Sequence, residues 1–322
     1  MGLTDPAGRE LPAAGLANLF VIYVVWGSTY LAIRVAVGPE AGWGPFWLGA
    51  SRVFAAAAIL LVACRLRGVR IRPTAPELVV IAGTGVLMWV GGNGAVNWAE
   101  QRIDSGLAAL VAGTMPIWVM VMESVLDRRR PSVVLAASLL TGFAGLAVLT
   151  LPLWRRGLHG DLLGVAAVVA GVISWGAGSV WLNRRPVTVD PMACAGLQQV
   201  FGGLGFLVVV ALVGERLPRP SLDGWLAWAY LTIFGSVIAF TCFVYALKLL
   251  PTRVVMTYAY VNPVIAVALG WLLLSEPVTW ITVAGTALII AGVWGVFRDK
   301  RAETNREGAK DAKGCERSKA GR

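Results

Sequence analysis

Charged residues are scarce in this sequence. Only 14% of the 322 residues are Asp, Glu, Lys or Arg, whereas 57% are hydrophobic. A soluble protein of this length needs far more charge to cover its surface, so the composition excludes an ordinary globular domain. The net charge of +10 does not indicate nucleic-acid binding, because the basic residues lie mainly in gaps between apolar runs and in the last residues of the chain.

Histidine and cysteine are also rare. The one histidine, His159, and the four cysteines form no CxxC motif and no Cys/His cluster. Zinc sites and disulfide frameworks need such spacings. An intramembrane enzyme would need paired His, Asp or Glu side chains within the apolar runs. The sequence therefore predicts no metal, no cofactor and no enzymatic activity.

Long apolar runs make up most of the chain, with short gaps between them. A run of about 20 apolar residues spans a ~30 Å hydrocarbon core, and continuous runs favour helices over a β-barrel. The predicted helices lie at residues 15–37, 45–64, 77–98, 103–126, 132–152, 161–182, 191–213, 223–247, 252–274 and 279–297. The sequence thus predicts an all-α integral membrane protein with ten transmembrane helices and bilayer lipid as a partner.

Positive charge is distributed unevenly over the predicted loops. If the N-terminus lies inside, the cytoplasmic segments hold most of the 28 Lys and Arg residues. The positive-inside rule then predicts that both termini are cytoplasmic. Residues 1–14 are expected to form a cytoplasmic N-terminus without a cleavable signal, and residues 298–322 a basic, disordered cytoplasmic tail.

The two halves of the sequence match at a nearly constant offset. Residues 147 positions apart include the pairs Pro116 and Pro263, Arg52 and Gln199, Phe54 and Phe201, and Gly145 and Gly292. The chain is therefore predicted to contain two five-helix repeats, residues 15–152 and 161–297. Because five is odd, the second repeat must enter the membrane from the opposite face. Inverted repeats are characteristic of secondary transporters, which bind substrate at the repeat interface near the midplane.

The paired prolines, Pro116 and Pro263, are predicted at the centres of helices 4 and 9. A mid-helix proline removes one backbone hydrogen bond and frees a carbonyl, which in a membrane needs a protein or water partner. For either proline alone, a structural kink and a bend beside a cavity both stay open. The symmetric pair, next to Thr114 and Asn262, favours a cavity at which the two helices break.

Polar residues are concentrated in eight of the ten predicted helices, because helices 5 and 10 contain no charged residue, Asn or Gln. Polar groups at depth usually face protein or water. We therefore expect a central cavity lined by eight helices and braced by helices 5 and 10, which pack closely through small residues. The predicted substrate-binding residues are Trp26, Ser28, Tyr30, Trp89, Asn93, Trp118, Trp175, Tyr258 and Asn262. The mid-span tryptophans fit either plain packing or an aromatic wall.

Two charged residues are candidates for coupling or selectivity. Glu123 is the one acidic residue clearly inside a predicted span. It fits a proton-coupling carboxylate or an interfacial partner for Arg128–Arg130, and both interpretations stay open. Arg52 fits either attraction of an anionic group or a bond to a helix C-terminal carbonyl.

Four strings of residues resemble a known family. They are Trp26-Gly-Ser-Thr-Tyr-Leu-Ala-Ile-Arg34, Gly92-Asn-Gly94, Ser174-Trp-Gly-Ala-Gly-Ser179 and Tyr258-Ala-Tyr-Val-Asn-Pro-Val-Ile-Ala266. They look like EamA domains of the drug/metabolite transporter superfamily, in particular those of YedA-type inner-membrane transporters, over about residues 15–297. The resemblance implies a ten-helix fold, cytoplasmic termini and export of small metabolites or drug-like compounds. Smaller multidrug members use a helix-1 carboxylate for proton coupling; helix 1 has none here, so their mechanism does not transfer.

The predicted function is therefore alternating-access transport of a small organic solute across the inner membrane, in the direction of efflux. Import, facilitated diffusion and a non-transport role stay open as alternatives. The sequence leaves the substrate, the use of protons and the oligomeric state undetermined.

Overall fold

The computed structural model describes residues 12–103, 105–155, 161–185, 187–274 and 278–299, and the regular elements within these ranges are all helical. They are α1 (Ala13–Val37), α2 (Pro45–Leu66), α3 (Ala75–Ala99), α4a (Ser105–Ala112), α4b (Met115–Asp127), α5 (Val133–Arg155), α6 (Leu162–Arg184), α7 (Pro191–Val213), α8 (Leu222–Leu249), α9a (Thr252–Val255), α9b (Tyr258–Leu274) and α10 (Trp280–Arg298). Most of the predicted tail lies outside the described residues.

Two of the helices contain π-helical segments of nine residues each. One is Val86–Gly94 within α3, and the other is Leu231–Ala239 within α8. In a π-helix the hydrogen bonds run to the fifth residue back, which widens the turn and is often found at functional sites. The two segments occupy corresponding positions in the two halves of the chain.

Local sequence sets where several helices begin. Proline occupies the first turn of α2 and of α7, where its missing N–H breaks no helical hydrogen bond. At the start of α3, the Glu77 carboxylate accepts from the Thr74 backbone N–H at 2.7 Å, which completes a capping box. The aspartates before α6 and α7, Asp161 and Asp190, accept from backbone N–H groups of the first turn.

Nine helical stretches of the described residues are long and apolar enough to cross a membrane. They correspond to the predicted runs other than 252–274, where the chain leaves helical geometry at 256–257 and α9b has only 17 residues. Large apolar side chains such as Leu31, Leu212 and Ile290 are exposed, as contact with lipid requires. The prediction of an all-α membrane protein is confirmed, with nine clear spans over the described ranges.

The interruptions of helices 4 and 9 lie before the two prolines. The chain breaks between α4a and α4b, so Pro116 falls in the first turn of α4b rather than at mid-helix. The Thr114 hydroxyl in this break donates to the Val111 carbonyl at 2.6 Å. In the second half the break precedes Pro263, which lies inside α9b. The helix break therefore lies directly before Pro116 in the first half, but several residues before Pro263 in the second half.

Helices α5 and α10 pack closely through glycine. A Cβ on Gly145 would lie 2.8 Å from the Gly285 carbonyl oxygen, and a Cβ on Gly285 would lie 2.9 Å from the Gly145 oxygen. A Cβ on Gly292 would lie 2.5 Å from the backbone nitrogen of Gly142. Only glycine allows this approach, so the predicted bracing of helices 5 and 10 through small residues is confirmed.

The remaining helix contacts are similar in the two halves of the chain. Helix α2 packs on α7, while α1 packs on α8 and α9b in the same way that α6 packs on α3 and on the two parts of helix 4. Most of these contacts recur when each helix is replaced by the helix five positions later in the chain. The largest cluster of buried apolar side chains lies among these helices, and a second, smaller cluster joins α5 and α10 to α4a and α9b.

Candidate functional site

A cavity of about 90 Å³ lies among helices α1, α2, α3, α6, α9b and the two parts of helix 4. It is lined by Trp26, Thr29, Ile33, Arg52, Trp89, Gly92, Asn93, Val96, Ala112, Met115, Gly171, Val172, Trp175, Tyr258 and Asn262. We call it the central cavity. The lining excludes α7 and α8, although all eight helices outside the α5–α10 pair were expected to contribute. Helix α8 lies behind the lining, because Trp26 of α1 and Arg52 of α2 hydrogen-bond to its residues. Helix α7 lies behind Trp89 of α3, which packs against Gly202.

Most of the predicted substrate-binding residues line the central cavity. They are Trp26, Trp89, Asn93, Trp175, Tyr258 and Asn262, together with the selectivity candidate Arg52. Ser28 does not line it: its hydroxyl donates to the Val25 carbonyl at 2.7 Å and accepts from the Tyr230 hydroxyl at 2.5 Å. Trp118 packs half-buried against the main apolar cluster, and the side chain of Tyr30 lies outside the described part of the chain.

The aromatic lining residues form a continuous wall. The ring of Trp26 lies 5.6 Å from that of Trp175 and 4.9 Å from that of Tyr258, both edge to face. Trp175 also contacts Trp89, at 6.2 Å. Behind the wall, α8 adds Phe240 and Phe243, which sequence analysis missed. Edge-to-face pairs at these distances hold each ring in a defined orientation, so the wall is preformed.

Close approach of α3 and α6 positions the wall. A Cβ on Gly92 would lie 2.8 Å from the Trp175 ring, and a Cβ on Gly171 would lie 3.0 Å from the Gly92 carbonyl oxygen. The Ser174 hydroxyl donates to the Leu87 carbonyl, in the π segment of α3, at 2.8 Å. Gly92 therefore lets α6, and Trp175 with it, lie close against α3, while Gly94 lies against Phe206 of α7.

The π segment of α8 is the point at which both halves of the site meet. Its carbonyl at Gly235 accepts from the Trp26 indole N–H at 3.2 Å, and its carbonyl at Ser236 accepts from the Gln199 amide at 3.2 Å. The Ser236 hydroxyl accepts from Arg52 Nε at 2.9 Å. Arg52 and Gln199, which correspond in the repeat, thus converge on one residue. Their spacing of 147 was a signal for this contact, but it did not indicate Ser236 as the meeting point.

Five buried polar atoms of the lining have no hydrogen-bond partner among the described residues. Three are donors or carry donors, namely Arg52 Nη1, Trp89 Nε1 and Trp175 Nε1, and two are acceptors, namely Asn93 Oδ1 and Asn262 Oδ1. Buried polar atoms are nearly always paired in proteins, so each of these atoms calls for a partner such as water or a bound molecule. The central cavity therefore offers both donors and acceptors to a polar occupant.

Glu123 lies in a different place, a second polar cavity of about 410 Å³ at the C-terminal end of α4b. Arg253 and Arg184 are positive charges that act on it, and Arg184 forms a 2.9 Å ion pair with Asp127. The lining also includes Arg129, Arg130 and Lys248. Glu123 therefore does not line the central cavity.

Sequence analysis also missed Glu100, a buried carboxyl that follows α3 directly. It is 1% exposed, and neither carboxyl oxygen has a hydrogen-bond partner among the described residues. Burial raises the pKa of Glu100 to about 8, although the positive charge of Arg34 opposes this rise. Arg34 Nη1 also donates to the Glu100 carbonyl oxygen at 2.6 Å and so joins α1 to the connection after α3.

Two segments of the chain, residues 13–151 and 162–298, each match the EamA-like transporter family. The chain belongs to this family. It is 36% identical over 257 residues to a protein described as the uncharacterized inner membrane transporter YedA of Escherichia coli strain K12, a match that covers 78% of this chain and 80% of YedA. The resemblance seen in the sequence is confirmed, and this EamA-family protein is a multi-pass membrane transporter rather than an enzyme.

More distant relatives agree with this assignment. A probable terminal-alkyne amino-acid exporter of Streptantibioticus cattleyicolor is 27% identical, covering 87% of this chain and 92% of the exporter. A solved crystal structure superposes with a TM-score of 0.72 at 24% identity, covering 88% of this chain and 96% of the other. At that identity the structural match establishes the fold alone.

Proposed function

We propose that this EamA-family transporter moves small organic solutes by alternating access through the central cavity. The observation that carries the proposal is the set of buried, unpaired polar atoms on a preformed aromatic wall. A site of this kind is mostly apolar, with a few polar groups that fix orientation, as solute-binding cavities are. Its residues come from both halves of the chain, so a movement of one half against the other would open it to either side.

We further propose that residues 15–152 and 161–297 are inverted five-helix repeats, ten membrane-spanning helices in all. Two separate family matches, one in each half, support a duplication. The recurrence of most helix contacts between the two halves and the corresponding π segments support it as well. In this arrangement α9a and α9b together form the fourth span of the second repeat, with their break near the start of that span.

The proposed direction is export across the inner membrane, with both termini cytoplasmic. The distribution of Lys and Arg over the connections supports this orientation. The names of two relatives, an inner membrane transporter and an exporter, agree with the location and the direction. Under this orientation the second polar cavity opens toward the cytoplasm, where Arg129 and Arg130 lie.

Solute counterflow in proteoliposomes tests the proposal. Vesicles loaded in turn with unlabelled amino acids, nucleobases and aromatic carboxylates are given a trace of the same labelled solute, and accumulation of label is measured. We expect accumulation with the wild type and a loss of roughly tenfold or more in Asn262→Ala and Asn93→Ala, since each variant removes a buried acceptor.

The matched control is Asn18→Ala, which removes an exposed amide near the start of α1, outside the cavity lining, and should keep wild-type counterflow. Absence of counterflow for every solute with wild-type protein would contradict the transport function. Full activity in both cavity variants would contradict the site but leave the function standing.

A further inference from the structure

Arg52 is the one charged side chain that lines the central cavity within the described residues. It lies in the first half of α2 and is 4% exposed. Its Nε donates to the Ser236 hydroxyl, and its guanidinium carbon lies 5.2 Å from the centre of the Trp89 ring. Both contacts fix the direction of the guanidinium, and neither supplies a negative charge.

No carboxylate among the described residues forms an ion pair with Arg52, and its Nη1 has no partner there. Arginine stays protonated in proteins, so the charge cannot be avoided by loss of a proton. A buried charge without a counter-charge is strongly destabilising. A cation kept in this position therefore calls for an anion that is not part of the described chain.

The other lining residues indicate the shape, the hydrogen-bonding groups and the charge of such an anion. Trp26, Trp175 and Tyr258 present ring faces and edges, which suit a flat apolar body. Asn93 and Asn262 present free carbonyl oxygens, which suit one or two N–H or O–H donors. With one guanidinium and no Lys or second Arg among the described lining, the site neutralises a single negative charge rather than two.

We propose that the solute carried through the central cavity is a small organic monoanion, an aromatic carboxylate whose carboxyl group pairs with the guanidinium of Arg52. The inference rests on the proposed function of this cavity and specifies its substrate class. The planar fork of arginine matches a carboxylate through two parallel hydrogen bonds, which gives direction as well as charge. An organic cation would meet repulsion from Arg52 and no compensating acid in the described lining.

Matched pairs of solutes test the inference on the wild-type protein. Benzoate with benzamide, phenylacetate with phenylacetamide, and indole-3-acetate with indole-3-acetamide differ in charge but scarcely in shape. We expect binding to purified protein in nanodiscs, and counterflow in proteoliposomes, to favour the carboxylate over its amide by at least about tenfold in one or more pairs. Equal binding of both members of every pair, or a preference for the amides, would overturn the inference.

Variants at Arg52 test whether this residue recognises the negative charge of the solute or only stabilises the fold. Arg52→Lys keeps the cation but loses the fork, so carboxylate affinity should fall while the preference over the amide persists. Arg52→Gln should lose the preference and bind the two members of a pair about equally. A structural role alone would lower both affinities together. The control is Arg102→Gln, which removes a half-exposed cation paired with Asp161 outside the cavity and should keep the wild-type preference.

The possible failures are distinguishable. If neutral solutes such as nucleobases show counterflow and no carboxylate does, the inference is wrong and the proposed function stands. If no solute of any class shows counterflow, both are wrong. The wild-type pairs need no variant, so poor folding of Arg52→Gln would not prevent the decision.

Discussion

Arg52 and Gln199 are corresponding residues of the two halves, yet they have different chemistry. Gln199 donates to the Ser236 and Ala195 carbonyls and is fully buried behind the cavity, whereas Arg52 bonds the Ser236 hydroxyl and faces the cavity. Under the proposed duplication the two halves start with the same residue at these positions. The difference between Arg52 and Gln199 therefore makes one side of the contact with Ser236 positively charged and the other neutral. In our account this single substitution between the halves sets the charge of the solute.

Glu100 provides a prediction about pH at the residue scale. Burial holds its pKa near 8, above the ordinary value of about 4.3. Because the pKa is raised in the folded state, ionising Glu100 lowers the free energy of unfolding. This loss is absent below about pH 4, grows as the pH rises and is complete above about pH 8. The stabilising effect of Glu100→Gln, measured as the shift in unfolding temperature in nanodiscs, should therefore be larger at about pH 9 than at about pH 5.

The control for this experiment is Glu40→Gln, which alters an exposed carboxyl in the α1–α2 connection. Its effect on the unfolding temperature should be small at both pH values. An equal shift for Glu100→Gln at the two pH values would show that burial does not penalise the ionised form.

Sequence alone could predict much of the site at this scale, but not all of it. Tryptophans at mid-span and the two asparagines stand out because polar or aromatic groups at depth are few. Ser28 and Trp118 lie outside the lining although they share that depth, since a helix that is apolar on every side gives no sign of which face is inward. Sequence analysis missed Glu100 because it follows an apolar run, and a carboxylate at the end of a membrane span is usually exposed to water.

The contact between α5 and α10 provides a prediction at the element scale. Gly285→Val places a branched side chain against the backbone of α5, where even a Cβ would lie 2.8 Å from the Leu149 nitrogen. Such overpacking destabilises by about 1–3 kcal/mol. We expect a lower unfolding temperature and weaker counterflow, because the two halves are joined by this pair of helices.

Ala291→Val is the matched control, since it introduces the same side chain at an exposed position of α10. It should leave the unfolding temperature within about a degree or two of the wild type. If Gly285→Val is as stable as Ala291→Val, the helices do not approach as closely as the structure shows.

The π segments and the helix breaks show what sequence analysis could not predict at the element scale. Helix 3 was placed correctly from its apolar run, but a shift in backbone hydrogen-bond register leaves no trace in composition. Pro116 lies just after the break in helix 4, whereas α9b continues through Pro263 and the break lies at 256–257, so the prediction of a break at Pro263 was wrong. The exact positions of the breaks depend on local contacts such as the Thr114 hydroxyl bond, which a proline does not determine.

At the scale of the whole molecule, the all-helical class and nine of the ten predicted spans followed directly from the long apolar runs, within the described residues. The tenth run was ambiguous because its helix is broken near the start, which leaves 17 residues in α9b. The proposed duplication is supported by the constant spacing in the sequence and by the recurrence of most helix contacts between the two halves. The central cavity lies where the two halves meet, so the proposed mechanism depends on its exposure to each side of the membrane in turn.

Accessibility of the central cavity from both sides tests the account most directly. Asn93→Cys is introduced into a protein whose four cysteines are replaced by serine, and a membrane-impermeant maleimide is applied to right-side-out and inside-out vesicles. Asn18→Cys, near the start of α1, reports sidedness and should react only from the cytoplasmic side. Alternating access predicts that the thiol introduced by Asn93→Cys reacts from both sides of the membrane. Reaction from one side only, or from neither, would contradict transport through this cavity.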